Sequence, residues 1–384
     1  MLAVRAGRLF DGERALGAGA VLVEDGRIVD VVTGDAPSSA TLVDLGLDAC
    51  LLPGLVDIHV HLAFDAGPDP VATVEASDDR TLLASMREAA GRALQAGITT
   101  VRDLGDRSFL AIELRGQLGA DGPEILAAGP PITVRGGHCH FFGGVAEGAE
   151  AIRAAVRARG DRGCDVVKVM ASGGNMTEGS DPVASQYGLA DLRLIVAEAR
   201  EVGLPAAAHV HGQPAIADAV EAGFDTIEHV TFMTADGVHA DPAVLERIAR
   251  SGVVVSATMA ARRGDEPPPG PMGRRLAAVL ANHERLYRAG ARIVVSSDAG
   301  IAPSKPHDVL PYGIVQLGGL GMTNREALRA GTALAADACA VGDRKGRLRA
   351  GYDADLLAVA GDPLTTLSAI HDVLAVFRAG HRVR

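Results

Sequence analysis

The sequence predicts an α/β fold: a (β/α)8 TIM barrel with a small β-sandwich domain formed by the N- and C-terminal segments. Three observations carry this reading. Eight short apolar, β-branched runs alternate with Ala-, Arg- and Glu-rich stretches of helical character, the signature of repeated βα units around a parallel sheet. Hydrophobic residues make up 48% of the 384 residues, enough to fill one large core. The two ends of the chain read differently from its middle, as short strands separated by turn signals. A doubly wound open sheet is the alternative architecture.

The elements follow in order. Residues 1–52 hold short strands such as "AVLVEDGRIVDVV", with a turn signal at Asp25–Gly26. The eight repeated runs are 55–62, 98–104, 124–130, 165–171, 204–211, 225–230, 253–259 and 292–299. Helical patterns separate most of them, for example "LADLRLIVAEAREVG" before the fifth. Beyond about residue 344, "GRLRAGYDADLLAVAG" and "DVLAVFRAGHRVR" return to strand character. The expected division is a barrel over 53–343 and a sandwich from 1–52 plus 344–384.

Composition narrows the function classes. Net charge is −11, Trp is absent and aromatic residues are 3%, which argues against a nucleic-acid partner and against base-stacking platforms. Cys50, Cys139, Cys164 and Cys339 show no metal-finger or redox spacing, and such sparse use suits a reducing cytoplasm. The first residues carry charges and glycines where a signal peptide has its apolar stretch, and no apolar run is long enough to span a bilayer. The expectation is a soluble, cytoplasmic protein acting on a small molecule, without nucleic-acid or membrane partners; assembly into a homo-oligomer is left open.

The chemistry lies in polar residues that interrupt the apolar runs. Side chains alternate faces along a strand, so Asp57, His59 and His61 share one face of "LVDIHVHL". Lys168 interrupts the fourth run, His209 and His211 end the fifth, His229 ends the sixth and Asp298 ends the eighth. Each alone has a structural reading, as a satisfied strand-end histidine or a turn aspartate. Lys168 is the exception, because a lone buried ammonium costs several kcal/mol unless it is neutralised or paired. Together they mark the C-terminal mouth of a barrel, where barrel enzymes place their chemistry. Imidazole and carboxylate suit zinc or a similar divalent ion, and four histidines plus a carboxylate exceed the three protein ligands usual for one catalytic ion. Two ions fit better.

The H-x-H of run one, the Lys of run four, the His of runs five and six and the Asp of run eight resemble the amidohydrolase superfamily over nearly the whole chain. "LLPGLVDIHVHL", "ITTVRDLGD", "VVKVMASGG", "TIEHV" and "SSDAG" are similar to its strand motifs, and the C-terminal "GRLRAGYDADLLAVAGDPL" to its β-sandwich return. The nearest likeness is to the prolidase-like and imidazolonepropionase-like branch. The resemblance implies two divalent ions, zinc being the expected metal, with Lys168 carrying a CO2-derived carbamate that bridges them. His59, His61 and Asp298 would hold the more buried ion, and His209 and His229 the more exposed one. It implies hydrolysis of an amide by a metal-bridging hydroxide, with Asp298 passing the proton to an amine leaving group. An Xaa-Pro dipeptide or N-acyl amino acid is the expected substrate, although "HVHG" at 209–212 differs from the His-x-Tyr of prolidase-type members. The alternatives are a hydrolase of a cyclic amide, lactone or other non-peptide amide or ester, and a metal-binding scaffold barrel without activity.

Other residues carry narrower expectations. His138 and His140 lie on the glycine-rich "VRGGHCHFFGG" after run three and are candidates for substrate contact, with His140 favoured. His211 is expected to contact substrate or support the centre rather than ligate. Arg102 and Asp103, adjacent in run two, read as an internal ion pair. Segments 173–188 and 261–275 read as irregular loops over the mouth, and Arg262, Arg263, Arg274 and Arg275 as residues that could meet a substrate carboxylate.

Overall fold

The computed structural model describes residues 1–34, 36–262 and 270–384, with the backbone alone at 270–272. Seven strands open the chain: β1 (Leu2–Ala6), β2 (Arg8–Phe10), β3 (Ala15–Leu16), β4 (Gly19–Glu24), β5 (Arg27–Thr33), β6 (Thr41–Asp44) and β7 (Ala49–Pro53). The eight expected runs follow as β8 (Leu55–Val60), β9 (Ile98–Asp103), β10 (Glu124–Ala127), β11 (Val167–Met170), β12 (Ala206–Gly212), β13 (Thr226–Met233), β14 (Val254–Ala257) and β15 (Arg292–Val295). The chain returns through β16 (Leu356–Ala360), β17 (Val373–Arg378) and β18 (His381–Arg382).

The terminal strands make two sheets, ordered β5-β4-β1-β6 and β18-β17-β16-β7-β2-β3. The second joins both ends of the chain through the antiparallel pair β7–β16. Val4, Val21, Leu51, Leu356 and Phe377 from these strands share one apolar cluster. The Asp25–Gly26 turn joins β4 to β5, and both residues take positive φ, 47° and 77°, as a tight hairpin turn requires.

Strands β8 to β15 are parallel to their neighbours, in the orders β10-β9-β8 and β11-β12-β13-β14-β15. Isolated parallel bridges link the two sets, Ile132 with Val169 and Val60 with Ala299. They connect the third run to the fourth and the first to the eighth, the neighbours that a (β/α)8 barrel requires. Every residue of β8, β9, β11, β12, β13 and β14 is buried, as expected of parallel strands covered on both faces.

Helices stand between these strands, and local signals start and stop them. Asp78 caps Asp79–Gln95 by accepting from the Thr81 N–H, and Asp241 caps Pro242–Ser251 with a proline at the first turn. Gly223 and Gly252 end their helices in the left-handed conformation that suits glycine. The last residues of segment 261–275 are not loop, because a helix begins at Gly270 and runs to Arg288; residues 263–269 lie outside the described residues. Arg263 lies outside the described residues.

Candidate active site

His59 belongs to β8, and His61 follows the strand's last residue. Their Nε2 atoms lie 3.3 Å apart, and each is 3.4 Å from Oδ1 of Asp298. Bonds of about 2.0–2.1 Å to a tetrahedral zinc would set ligand atoms roughly 3.3–3.4 Å apart. The triangle therefore has the dimensions of one face of such a site. Asp298 lies past the end of β15 rather than within it, at φ 55°, and its N–H donates to the His59 carbonyl at 2.8 Å. A left-handed aspartate at a buried position costs on the order of 1–3 kcal/mol, and here that conformation places the carboxylate beside both imidazoles.

A second group contains His209, His211 and His229, with ligand atoms all within 4.8 Å of one another. His209 Nε2 donates to the Gly173 carbonyl at 3.0 Å, which leaves Nδ1 as its free lone pair. His229 Nδ1 is held by Thr258 Oγ1 at 2.8 Å and His211 Nδ1 by Thr231 Oγ1 at 2.9 Å, leaving the Nε2 atoms unclaimed. His229 also has a positive φ, 70°. His211 stacks on His229 with centroids 4.7 Å apart. The structure thus brings His211 beside the two expected histidines.

Lys168, on β11, is fully buried, and its Nζ has no hydrogen-bond partner among the described residues. Burial pulls its pKa down to about 8, against the opposing charges of Glu228 and Asp298. Burial likewise holds His59, His209 and His229 well below the usual imidazole range, and the Lys168 charge adds to the effect on each. His61 is lowered by burial too, despite the Asp298 charge, and His211 is brought to about 3 by burial and Lys168. Neutral imidazoles are the form that ligates metal. Converging nitrogens, a carboxylate and an orphaned, easily neutralised amine together fit divalent ions in this pocket.

Sequence reasoning missed the layer behind these residues. Glu228, fully buried on β13, accepts from His59 Nδ1 at 2.9 Å, from Arg102 at 3.0 Å and from Thr226 Oγ1 at 2.6 Å. This corrects the expected Arg102–Asp103 pair. Adjacent strand residues face opposite ways, so Arg102 reaches Glu228, while Asp103 accepts the Leu62 and Gly105 N–H groups at 2.8 and 3.0 Å. Its available signal was two opposite charges inside separate apolar runs. Two buried histidines also escaped notice: His283 donates to the His229 carbonyl at 2.9 Å and His307 to the His61 carbonyl at 3.1 Å. Lys305 Nζ ties the carbonyls of Thr258, Ala260 and Ser297, joining the segments just past the ends of β14 and β15.

The mouth residues divide. His138 is buried, its ring 4.6 Å from that of His209, and its Nδ1 has no partner among the described residues. Gly174 must lack a side chain there, because a Cβ would meet His138 Nε2 at 2.4 Å. His140 is exposed and turned to its own loop, with Nδ1 donating to the Gly137 carbonyl at 3.0 Å. Of the two, the structure sets His138 beside His209 and leaves His140 on the outside of the loop. Loops 133–146 and 173–188 are laced together by Gln186, which accepts from the His138 N–H and donates to Thr133 Oγ1, and by Thr177, which accepts from the Cys139 N–H. Arg262 is engaged by Asp308 and lies 5.7 Å from the centre of the Tyr312 ring.

Comparison with known proteins agrees with this geometry. The model of the amidohydrolase family matches residues 50–383. Ochratoxinase of Aspergillus niger is 30% identical over 368 residues, covering 85% of this chain and 73% of that protein. A solved Xaa-Pro dipeptidase with bound methionine superposes with a TM-score of 0.86 at 26% identity, covering 99% of each chain. A prolidase solved with N-methylphosphonate-L-proline gives 0.86 at 25% identity, covering 100% of this chain and 99% of the other. No helix among the described residues is long and apolar enough to cross a membrane. A barrel with histidines and an aspartate gathered at its strand ends, matched over most of its length, places this chain in the amidohydrolase family, in its prolidase-like branch, as a hydrolase of C–N bonds.

Proposed function

We propose that the protein hydrolyses the amide bond of a small substrate whose leaving group carries a carboxylate, an Xaa-Pro dipeptide or an N-acyl amino acid. The observation that supports this most is the pair of ligand groups, His59–His61–Asp298 and His209–His211–His229, together with a buried Lys168 whose charge reaches the imidazoles of both. In this reading His59, His61 and Asp298 would hold one zinc ion, and His209 and His229 the other. Lys168 in its neutral form would add CO2 and release one proton to water, replacing an unpaired buried ammonium with a carbamate that would serve as an anionic ligand. Bound ions supply Lewis acidity and a water acidic enough to ionise near neutral pH.

The protein's own groups do the rest. Asp298 Oδ1 faces the His59 and His61 nitrogens, and its second oxygen, Oδ2, carries the proton from water to the leaving nitrogen, which cannot depart as an anion. His138 and His211, with ring nitrogens facing the pocket, orient the substrate carbonyl or carboxylate. The laced loops 133–146 and 173–188 keep bulk water away from it. The terminal sheets, residues 1–52 with 344–384, act as a separate β-sandwich unit supporting the barrel, a division favoured by their own apolar cluster. We place the enzyme in the cytoplasm, where its unpaired cysteines stay reduced.

The test is a panel of dipeptides, N-acyl amino acids, matched carboxamides and lactones, assayed with zinc, cobalt or manganese. Acids should be favoured over their carboxamides in kcat/KM, with two ions per chain. Equal constants for acid and carboxamide would remove carboxylate recognition. Lactones turned over far faster than every amide would replace the amide reading. One ion or none, after purification with supplied metal and no chelator, would defeat the binuclear centre.

A further inference from the structure

We propose that Glu228, acting through His59, makes the His59–His61–Asp298 group the tighter of the two metal sites, so that it fills first. The proposal rests on the metal-centre reading above and goes beyond it, because Glu228 touches neither ion nor substrate. It is a positioning residue.

The second nitrogens of the histidines set the contrast. His59 donates through Nδ1 to a carboxylate, Glu228 Oε2, at 2.9 Å. His61 Nδ1 faces only the Gly105 carbonyl at 3.3 Å, and His209 Nε2 the Gly173 carbonyl at 3.0 Å. His211 and His229 use threonine hydroxyls. A hydrogen bond to an ionised acceptor is roughly twice as strong as a neutral one. It also fixes the proton on Nδ1, so that the Nε2 lone pair points towards His61 and Asp298. Drawing electron density towards a cation on Nε2 makes the Nδ1–H a better donor. The bond to Glu228 therefore tightens when metal binds, and ligand basicity rises.

The carboxylate is built to stay in place. Its other oxygen accepts from Arg102 Nη2 at 3.0 Å and Thr226 Oγ1 at 2.6 Å, while Arg102 Nε donates to the Ile58 carbonyl at 2.7 Å. Glu228 and Arg102 are both essentially excluded from solvent. They connect β8, β9 and β13, three strands remote in sequence, at the base of a single imidazole. Such a pair is a costly way to hold a barrel together, since a buried ion pair is often no more stabilising than apolar side chains of similar volume. Among the described residues, Glu228 Oε2 has a single hydrogen bond, the one from His59.

The experiment titrates zinc into the metal-stripped full chain in competition with a chromophoric chelator. The native protein should bind two ions with distinct affinities. Glu228→Gln should weaken the tighter ion roughly 10- to 100-fold and leave the weaker one within about threefold. Because Glu228→Gln strands the Arg102 charge, the double variant Arg102→Met/Glu228→Leu removes both charges together. It should show the same selective loss while the metal-free protein unfolds at a temperature close to that of the native chain. A folded variant that binds both ions with native affinities overturns the proposal, as does weakening shared equally by the two ions. If neither variant folds, nitrogen NMR of the metal-free native protein decides, and a His59 tautomer protonated on Nε2 overturns it. A native protein that binds no zinc would instead defeat the metal-centre reading, a result distinct from all of these.

Discussion

Replacing Lys345 with methionine should destabilise the protein by about 3–5 kcal/mol at neutral pH, and the loss should shrink in acid. The Lys345 ammonium is almost completely buried, 2.5 Å from Asp355, 2.9 Å from Asp353 and 3.0 Å from Glu124. Arg344 and Arg378 join the cluster, binding Glu124, Asp353 and Asp355, and Arg27 adds a further cation 2.7 Å from Asp353. Glu124 opens barrel strand β10, whereas Asp353 and Asp355 lead into β16, so the cluster fastens the barrel to the returning C-terminal strands. Four cations face the three carboxylates, so each carboxylate keeps an arginine when Lys345 is removed; what is lost is a buried ammonium in contact with all three, and at about 1.5–3 kcal/mol for each hydrogen bond to a charged group, the loss of two or more such contacts amounts to about 3–5 kcal/mol. For a chain of this length the unfolding entropy is roughly 0.8 kcal/mol per degree, so Tm should fall by about 4–6 °C. The pH dependence follows from Glu124. Burial pushes its pKa up, but the Arg344 hydrogen bond and the Lys345 charge outweigh that and bring it to about 2. Asp353 is lowered as well, with burial opposed chiefly by Lys345. A depressed carboxyl pKa contributes stability above the unfolded value, near 4.5 for Glu124, and loses it as pH falls towards about 2. Without Lys345 these pKa values rise, so less remains to be lost. The native–variant difference should therefore narrow by about 1–2 kcal/mol between pH 7 and pH 3. Urea unfolding of both proteins, stripped of metal so that ligand protonation does not contribute, measures it. A difference below about 1 kcal/mol at pH 7, or one that is independent of pH, would refute the reasoning.

Two further substitutions probe the centre. Lys168→Ala should lose the bridged pair of ions and the activity, with partial return when acetate or propionate supplies a carboxylate; undiminished turnover by this variant would make Lys168 an ordinary structural residue. Asp298→Asn should fold and bind some metal yet lose orders of magnitude in kcat, because an amide oxygen can approach a cation but cannot accept the proton; near-normal turnover would take the proton-transfer role away from Asp298.

The part of the molecule legible in the sequence is the part governed by local periodicity. Alternation along "LVDIHVHL" put His59 and His61 on one face, and they meet at 3.3 Å. The Asp25–Gly26 dipeptide announced a hairpin turn, and both residues have the positive φ it needs. Lys168 stood out because an ammonium inside an apolar run demands an explanation, and its Nζ is indeed buried without a partner among the described residues. Such signals depend on one residue and its near neighbours. Arg102 and Glu228 each gave the same signal, a charge in an apolar run, but their pairing is a fact about residues 126 positions apart and about which face each occupies. With Asp103 next to it, Arg102 had a partner in the sequence that the pleat does not allow.

The least legible feature is the backbone at the two residues that aim the site. His229 and Asp298 both adopt positive φ, at 70° and 55°, where glycine, asparagine or a turn would be expected. Nothing in a strand-end histidine announces that conformation. It follows from tertiary constraints: the Asp298 N–H is bound to the His59 carbonyl, and the His229 carbonyl accepts from His283 on a distant helix. Extended backbone at these positions would alternate the side chains in and out of the barrel, and the left-handed turn lets consecutive elements deliver an imidazole and a carboxylate to the same few ångströms. The strain, on the order of 1–3 kcal/mol at each residue, is tolerated because the surrounding hydrogen bonds over-determine the geometry. A periodicity argument assigns these residues to the right end of the right strand and stops there, since their final orientation is decided by contacts that the strand itself does not contain.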